Sequence, residues 1–297
     1  MTITEIATLP ARHAVTATDH TATTDDHAQL AISVHRPGEP DPGRPLVLLV
    51  HGWAASRTVW HATAHQLAAA GHTVASYDQR AHASSTAGRE PISIDRLARD
   101  LDAVVGTLTT PERPVVVVGH SGGGYAALAW AAGLAARQGG SSSKRLRGLV
   151  LVSTASHGQS TPASEVKMMG SELFSRALRT PWLGRRLLGG THGPDAKLTA
   201  REANRRLFAA TPPGTRAACF ASTEEMDLRA GLARITAPTV VITGTEDKIV
   251  KPEFSQALAS ALPDAELHRI AGAGHMVPLE APHHVARHTH LLVTAGR

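Results

Sequence analysis

Short, continuous apolar runs alternate along most of the chain with stretches in which apolar residues recur every three or four positions. The runs at 45–50, 114–118 and 237–244 are apolar almost throughout, which is typical of strands buried on both faces of a parallel sheet. The stretch 94–108 has helical spacing instead, with Ser93 as its predicted N-cap. Because parallel neighbours need crossover connections, the alternation predicts an α/β fold with a mostly parallel twisted sheet and helices on both faces.

The alternation lapses between about 156 and 228. No run there is as strand-like as those elsewhere, and Val166, Met169, Leu173 and Leu178 follow the spacing of an amphipathic helix. A long helical segment between two predicted sheet strands indicates a lid over the sheet. We therefore predict that 156–228 is an inserted helical cap.

The remaining sequence is assigned to one core domain, formed by 28–155 and 229–297. Residues 1–27 are predicted to be an N-terminal extension. The stretches 13–19 and 28–37 are predicted to be two antiparallel strands. A chain of 297 residues is long enough for one large domain that carries an insertion.

Charge, cysteine content and the length of apolar runs exclude several classes of protein. Lys and Arg number 30 against 25 Asp and Glu, but the basic residues are scattered and rarely interleaved with aromatics, so we predict no nucleic-acid partner. Cys219 is the single cysteine, which excludes an intramolecular disulfide. No apolar run has the length of a signal peptide or a membrane span, so we expect a soluble cytoplasmic protein with no membrane partner. Whether it forms a weakly held homodimer stays open.

The sharpest local feature is the transition from a predicted strand to a predicted helix at Gly119-His120-Ser121-Gly122-Gly123. A serine hydroxyl must protrude to attack a carbonyl, and a sharp strand-to-helix turn with flanking glycines exposes it. The N–H of Gly122 would face a developing oxyanion at the helix start. The phosphate-loop pattern GxxxxGK[ST] and the dinucleotide pattern GxGxxG are both absent here, which argues against nucleotide binding.

A nucleophile on such a turn requires an acid and then a histidine further along the chain, each after a strand. Asp247 follows the strand that ends at Gly244, and His275 follows the next predicted strand. A second oxyanion donor is expected after the strand 45–50, and we assign it to the backbone N–H of Trp53. Asp247 and His275 thus follow Ser121 in the order that such a nucleophile requires.

These segments resemble the α/β-hydrolase fold family, and more narrowly its bacterial esterase and lipase-like members with a helical cap. The resemblance extends from about residue 28 to 297 and depends on HGW, DQRAHASS, GHSGGG, GTEDKIVKP and GAGHMVPLEAP. Family members usually have glycines beside the histidine of the second motif, where this chain has Ala81 and Ala83. We expect this departure to change the loop near His82 and to leave catalysis intact.

The resemblance implies a role for each candidate residue. Ser121 would be the nucleophile, His275 the general base and then acid, and Asp247 the carboxylate that orients His275. Trp53 and Gly122 would donate the oxyanion hydrogen bonds. The implied activity is cleavage of a carboxylic ester with a small or medium acyl group through an acyl-enzyme, without a cofactor. A serine nucleophile argues against the dehalogenase and epoxide-hydrolase branches, which attack through a carboxylate.

Several alternatives stay open at this point. Ser121 could be only a helix N-cap, Glu246 could replace Asp247 as the acid, and His275 could be structural. The same triad could serve a thioesterase, lactonase, amidase or acyltransferase, because the fold hosts all of these. A ligand-binding protein without turnover, built on the same scaffold, is the alternative from another class.

Residues around the nucleophile are candidates for substrate binding. His51 and His120 flank the predicted site, and we expect them to shape it. Apolar residues of the predicted cap are candidates for the acyl pocket, namely Met169, Phe174 and Trp182. His284 and His288 are four residues apart on a predicted helix, but the glutamate of an HExxH zinc motif is missing, so no metal site is predicted.

Overall fold

The structure is a computed structural model that describes residues 9, 11–41, 43–137, 145–158, 161–224 and 226–295. It contains one eight-stranded sheet with the strand order β1-β2-β4-β3-β5-β6-β7-β8. The strands are β1 (Val15–Thr23), β2 (Gln29–Pro37), β3 (Leu46–Val50), β4 (Val74–Tyr77), β5 (Val115–His120), β6 (Leu146–Val152), β7 (Thr239–Gly244) and β8 (Ala265–Ile270). Pairing is antiparallel between β1 and β2 and between β2 and β4, and parallel in the rest of the sheet.

Helices cover both faces of this sheet, as the alternation of the sequence predicts. The α-helices are α1 (His61–Ala69), α2 (Ile94–Leu108), α3 (Gly122–Arg137), α4 (Ala163–Met169), α5 (Glu172–Arg179), α6 (Pro181–Leu187), α7 (Leu198–Ala210), α8 (Pro213–Ala221), α9 (Arg229–Leu232), α10 (Pro252–Ala261), α11 (Val277–Glu280) and α12 (Pro282–Thr294). Short 3₁₀ turns lie at Arg57–Trp60 and Gly189–Thr191. The predicted α/β fold class is confirmed.

Successive residues of β5 point to opposite faces and join two separate cores. Val117 belongs to the cluster that contains Leu101 of α2 and Leu128 of α3. Its neighbour Val116 belongs to the other cluster, with Leu67 of α1. A strand buried on both faces needs apolar residues at every position, which explains its continuous apolar run.

Local signals located the helix α2 correctly. The side-chain oxygen of Ser93 accepts a hydrogen bond from the backbone N–H of Arg96 at 3.1 Å, which is the predicted N-cap interaction.

The amphipathic helix predicted through Val166 and Leu178 is wrong as a single element. Two helices occupy the stretch, because α4 ends at Met169 and α5 begins at Glu172. The hydroxyl of Ser171 accepts a hydrogen bond from the N–H of Phe174 and so caps the second helix. Serine is more favourable at such a cap than inside a helix, which explains the interruption.

The first strand lies within the segment predicted as an N-terminal extension. β1 pairs with β2 along its whole length, from Val15 opposite Pro37 to Thr23 opposite Gln29. It lies at one edge of the sheet, and β8 lies at the other. Residues 1–8 and 10 of that predicted extension lie outside the described part of the chain.

A buried ion network joins the start of the chain to the sheet and to α2. The guanidinium of Arg80 donates to both carboxylate oxygens of Asp26, each at 2.9 Å, and to Asp100 at 2.6 and 2.8 Å. The side chain of Arg80 is fully buried. Hydrogen bonding and charge from Arg80 hold the pKa of Asp26 well below its usual range. No pattern in the sequence indicated this pairing.

Within the described ranges, no helix combines the length with the apolar character that crossing a bilayer would require.

Candidate active site

The predicted turn at Ser121 is strained. Ser121 follows the last residue of β5 directly, precedes the first residue of α3, and has a φ of 50°, a left-handed conformation that is costly for a residue with a side chain. Its N–H donates to the carbonyl oxygen of Val152 at 2.9 Å. A Cβ at Gly119 would lie 2.6 Å from the carbonyl oxygen of Gly123, so only glycine allows strand and helix to approach this closely.

The loops after β7 and β8 bring Asp247 and His275 together. The Nδ1 of His275 lies 2.9 Å from Oδ2 of Asp247, and both residues are buried. The other carboxylate oxygen accepts the N–H groups of Ile249 and Val250, each at 2.9 Å. Burial alone raises the pKa of Asp247, but its electrostatic interaction and hydrogen bond with His275, together with the hydrogen bonds from Ile249 and Val250, outweigh burial and keep the pKa below its ordinary value.

The geometry assigns a protonation pattern to His275. A carboxylate can only accept hydrogen bonds, so Nδ1 of His275 carries the proton that is donated to Asp247. The neutral imidazole then has an unprotonated Nε2, which can take a proton from a neighbouring hydroxyl. Asp247, and not Glu246, is the carboxylate that contacts the histidine.

Ser121 and His275 line one cavity of about 450 Å³. Its other walls are mainly apolar and come from both the sheet edge and the helices α4 to α8, including Trp53, Tyr125, Met168, Met169, Phe174, Leu187, Leu188, Phe208, Phe220, Val250 and Met276. Met169 and Phe174, two of the residues predicted for substrate binding, line this cavity. Trp182 does not line this cavity, and 65% of its surface is exposed.

Trp53 and Gly122 lie against each other beside the candidate nucleophile. A Cβ on Gly122 would overlap the indole ring of Trp53. A Cβ on Gly52 would lie 2.9 Å from Cβ of Ser121, so the loop after β3 packs directly on the nucleophile turn. The backbone of this loop and the start of α3 therefore both lie close to Ser121.

His51 and His120 hold loops and stay neutral. Nε2 of His51 accepts the N–H of Gln79 at 2.9 Å, so its Nδ1 donates to the carbonyl oxygen of Gly52 at 2.7 Å. Burial and the nearby His82 lower the pKa of His51 well below its ordinary value.

His120 lines the cavity and contacts the loop of residues 271–276, between β8 and α11, which carries His275 and which we call the histidine loop. Its Nε2 lies 2.9 Å from the carbonyl oxygen of His275, to which it can only donate. Burial, followed by the nearby His275, lowers the pKa of His120 to about 3. The neutral ring thus supports the backbone of His275, whereas His51 is buried outside the cavity lining.

Two alanines in the loop near His82 adopt the backbone conformation that glycine favours. Ala81 has a φ of 61° and Ala83 a φ of 44°. α/β-Hydrolases usually have glycine at these two positions. This chain keeps the left-handed backbone there with alanine, which strains the loop.

Helix α7 contributes to the cavity, which the sequence did not predict. Asn204 and Phe208 both line it, and they are one helical turn apart. Asn204 is buried and donates from its side-chain amide to Oγ1 of Thr191 at 2.9 Å. The i, i+4 spacing of an asparagine and a phenylalanine was the available signal, but it does not reveal which face is turned toward the sheet.

The histidines of α12 interact with each other and with the sheet. The ring of His288 stacks on that of His268 at 3.8 Å between centroids, and burial together with His268 lowers the pKa of His288 to about 4. His284 also lies on this helix, with its pKa lowered to about 4 by burial and by His283. In the described part of the chain, no three His, Cys, Asp or Glu side chains are grouped to hold a metal ion.

A family model described as serine aminopeptidase, S33, matches residues 41–282. The chain belongs to this S33 family of α/β-hydrolases. A pimeloyl-[acyl-carrier protein] methyl ester esterase of Stenotrophomonas maltophilia is 29% identical over 243 residues, which cover 78% of this chain and 86% of that protein.

Solved structures agree with the family assignment. A thermophilic esterase from Thermogutta terrifontis superposes with a TM-score of 0.72 and 26% identity over 92% of this α/β-hydrolase and 97% of the esterase. An esterase from Exiguobacterium antarcticum superposes with a TM-score of 0.76 and 18% identity over 93% of this chain and 99% of the esterase chain. At this level of identity the similarity shows a shared fold. This α/β-hydrolase is therefore an enzyme by family, and esterases are prominent among its relatives.

Proposed function

We propose that the protein is a serine hydrolase that cleaves a carboxylic ester through an acyl-enzyme. Ser121 is the nucleophile, His275 the base and Asp247 the carboxylate that orients it. One observation carries the proposal: His275, which is hydrogen-bonded to Asp247, lines the same cavity as a serine held on a strained strand-to-helix turn.

The reaction follows from the protonation pattern of His275. Nε2 takes the proton of the Ser121 hydroxyl as Oγ bonds to the ester carbonyl carbon, and Asp247 stabilises the imidazolium. The negatively charged carbonyl oxygen is received by the N–H groups of Trp53 and Gly122. Nε2 then returns the proton to the departing alcohol, which leaves the acyl group on Ser121.

Water completes the cycle. His275 removes a proton from water as the water oxygen attacks the acyl carbon, and the proton passes to Oγ of Ser121 as the acid is released. No step needs a metal or a redox cofactor.

The cavity supports a small or medium acyl group as substrate. Its volume of about 450 Å³ and its apolar walls, with Met169 and Phe174 among them, match a short aliphatic or aromatic chain. Because α4 to α8 supply much of that wall, we also propose that 156–228 is a cap on a core formed by 28–155 and 229–297. Cys219 is a buried free thiol, which agrees with the cytoplasmic location that we propose.

Active-site labelling and ester hydrolysis test the proposal. The wild-type protein is incubated with a fluorophosphonate probe and with p-nitrophenyl esters of increasing acyl length, in parallel with Ser121→Ala and Ser153→Ala. Ser153 is a matched control, because it also follows a sheet strand with a left-handed φ of 46° but does not line the cavity. We expect labelling and turnover in the wild type and in Ser153→Ala only.

Equal labelling of wild type and Ser121→Ala would remove Ser121 from the mechanism. A panel of thioesters, lactones and amides, with alcohols and amines as competing acceptors, distinguishes an esterase from the other acyl-transfer activities of this fold. Binding of an ester without product after long incubation would instead favour a non-catalytic ligand-binding protein.

A further inference from the structure

Residues 191–193, which we name the docking segment, form backbone hydrogen bonds with the loop that carries His275. The carbonyl oxygen of Thr191 accepts hydrogen bonds from the N–H of His275 at 3.0 Å and from the N–H of Met276 at 3.2 Å. The docking segment lies between α6 and α7, more than 70 residues before this loop in the sequence. Backbone atoms of the 156–228 segment thus contact the candidate base itself.

The two backbones are in direct contact. A Cβ on Gly193 would overlap the carbonyl oxygen of Gly272, and a Cβ on Gly274 would overlap backbone atoms of His192 and Gly193. No side chain fits between the docking segment and the histidine loop, so the contact requires glycine on both sides.

Glu280 joins the two segments through a single carboxylate oxygen. Its Oε2 accepts the N–H of Gly193 at 2.8 Å and the N–H of Gly274 at 3.1 Å. Glu280 is the last residue of α11, which follows the histidine loop directly. Hydrogen bonds to a charged acceptor are stronger than neutral ones, so this carboxylate is the strongest link in the contact.

The docking segment is itself supported. Oγ1 of Thr191 donates to the carbonyl oxygen of Leu188 at 2.7 Å and accepts from the side-chain amide of the buried Asn204 at 2.9 Å. On the opposite side, the carbonyl oxygen of His275 accepts a hydrogen bond from His120. Both backbone polar groups of His275 are therefore held by residues distant in sequence.

We propose that Glu280 is a positioning residue, which sets the orientation of His275 by joining the docking segment to the histidine loop. This inference rests on the proposed function of His275 as the base. Glu280 does not line the cavity with Ser121, so it acts through the backbone and not on the substrate. A small displacement of a catalytic base slows the reaction strongly, so the effect of Glu280 on the position of His275 can be measured in kcat.

The test compares Glu280→Ala, Glu280→Gln and Glu202→Ala. The amide oxygen of glutamine can still accept both N–H groups, whereas alanine removes the acceptor. Glu202 is a control within the 156–228 segment, because its carboxylate binds Arg185, Arg205 and Arg206 without touching the histidine loop. Each variant is assayed for kcat and KM and for thermal unfolding.

We expect Glu280→Ala to lower kcat roughly 10- to 100-fold with KM within about threefold of wild type, since geometry at the base is lost and binding is kept. Glu280→Gln should retain most of the activity. Glu202→Ala should lower the unfolding temperature and leave kcat near wild type. Wild-type kcat in Glu280→Ala, or a loss of kcat in all three variants that follows their unfolding temperatures, would overturn the proposal.

A second readout does not depend on turnover. The proton that His275 donates to Asp247 gives a low-field imidazole resonance in proton NMR, assigned by its absence in His275→Gln. Glu280→Ala should shift or broaden this resonance, whereas Glu280→Gln and Glu202→Ala should leave it unchanged. An unchanged resonance in Glu280→Ala would also overturn the proposal. If wild-type protein hydrolyses no ester, the proposed function fails, and the NMR comparison still decides whether Glu280 positions His275.

Discussion

Nδ1 of His275 lies 2.9 Å from Oδ2 of Asp247, while the second oxygen of that carboxylate is fixed by the N–H groups of Ile249 and Val250. The carboxylate cannot rotate away without losing these backbone hydrogen bonds. It therefore determines that Nδ1 of His275 carries the proton, which leaves Nε2 free for the role in proton transfer that we propose.

Asp247→Asn should abolish most of the activity without unfolding the protein. Asparagine can present an N–H to His275, which favours the wrong imidazole tautomer, and we expect kcat to fall about 10⁴-fold by analogy with serine proteases. The measurement is the hydrolysis of a p-nitrophenyl ester that wild type cleaves. Glu246→Gln is the matched control and should stay within a few-fold of wild type; the reverse result would assign the acid to Glu246.

Asp26→Asn should destabilise the protein in a manner that depends on pH. The change removes the negative charge and replaces one of the two oxygens that accept from the buried Arg80 with an NH2 group that cannot accept, so we expect a loss of about 2 to 3 kcal/mol in the free energy of unfolding at pH 7. The ordinary pKa of Asp is 3.8, and Arg80 depresses that of folded Asp26 well below it. The difference in unfolding free energy between wild type and variant should therefore be constant above about pH 5. It should shrink as the pH falls below the ordinary pKa of Asp, because Asp26 then takes up a proton in the unfolded chain before it does so in the folded protein.

Urea unfolding at several pH values measures this difference. Asp25→Asn is the neighbouring control, because the side chain of Asp25 is 67% exposed in its ion pair with Arg96 and should contribute less than about 1 kcal/mol. A pH-independent difference for Asp26→Asn would contradict the depressed pKa.

Ala81→Gly and Ala83→Gly should each stabilise the fold. Relief of the left-handed strain at φ values of 61° and 44° should exceed the entropy lost by introducing glycine, with a net gain of roughly 0.5 to 1 kcal/mol for each change. Ala87→Gly serves as the control in the same loop and should destabilise slightly. Thermal unfolding checks all three, and a lower unfolding temperature for both strained positions would refute the interpretation.

Met169→Ala should change the preference for acyl length, whereas Trp182→Ala should not. Met169 lines the cavity, so its removal should lower kcat/KM for a hexanoyl ester roughly 3- to 10-fold relative to an acetyl ester, which corresponds to the loss of about 1 kcal/mol of apolar contact. Trp182 is largely exposed and outside the cavity lining. A chain-length series of p-nitrophenyl esters compares the two variants, and an effect limited to Trp182→Ala would show that the exposed face of α6 takes part in binding.

The candidate substrate-binding residues illustrate where sequence reasoning stops. Met169, Phe174 and Trp182 were equivalent candidates on apolar character and position in the chain. Their separation into lining and exposed residues depends on how α4, α5 and α6 are rotated against the sheet, and on the break at Ser171. Rotation of a helix about its axis is decided by the surface it packs on, which no single segment contains.

The alternating α/β order, the buried parallel strands, the N-cap of α2 and the sharp turn at Ser121 could all be predicted from the amino-acid sequence. These features depend on residues within one element, where backbone preferences and periodicity are decisive. Three other features became visible in the folded chain alone: the pairing of Asp26 and Asp100 with Arg80, the place of Asn204 in the cavity and the contact of Glu280 with two backbone segments. Each of these joins residues far apart along the chain, so it depends on the packing of whole elements and leaves no local pattern to read.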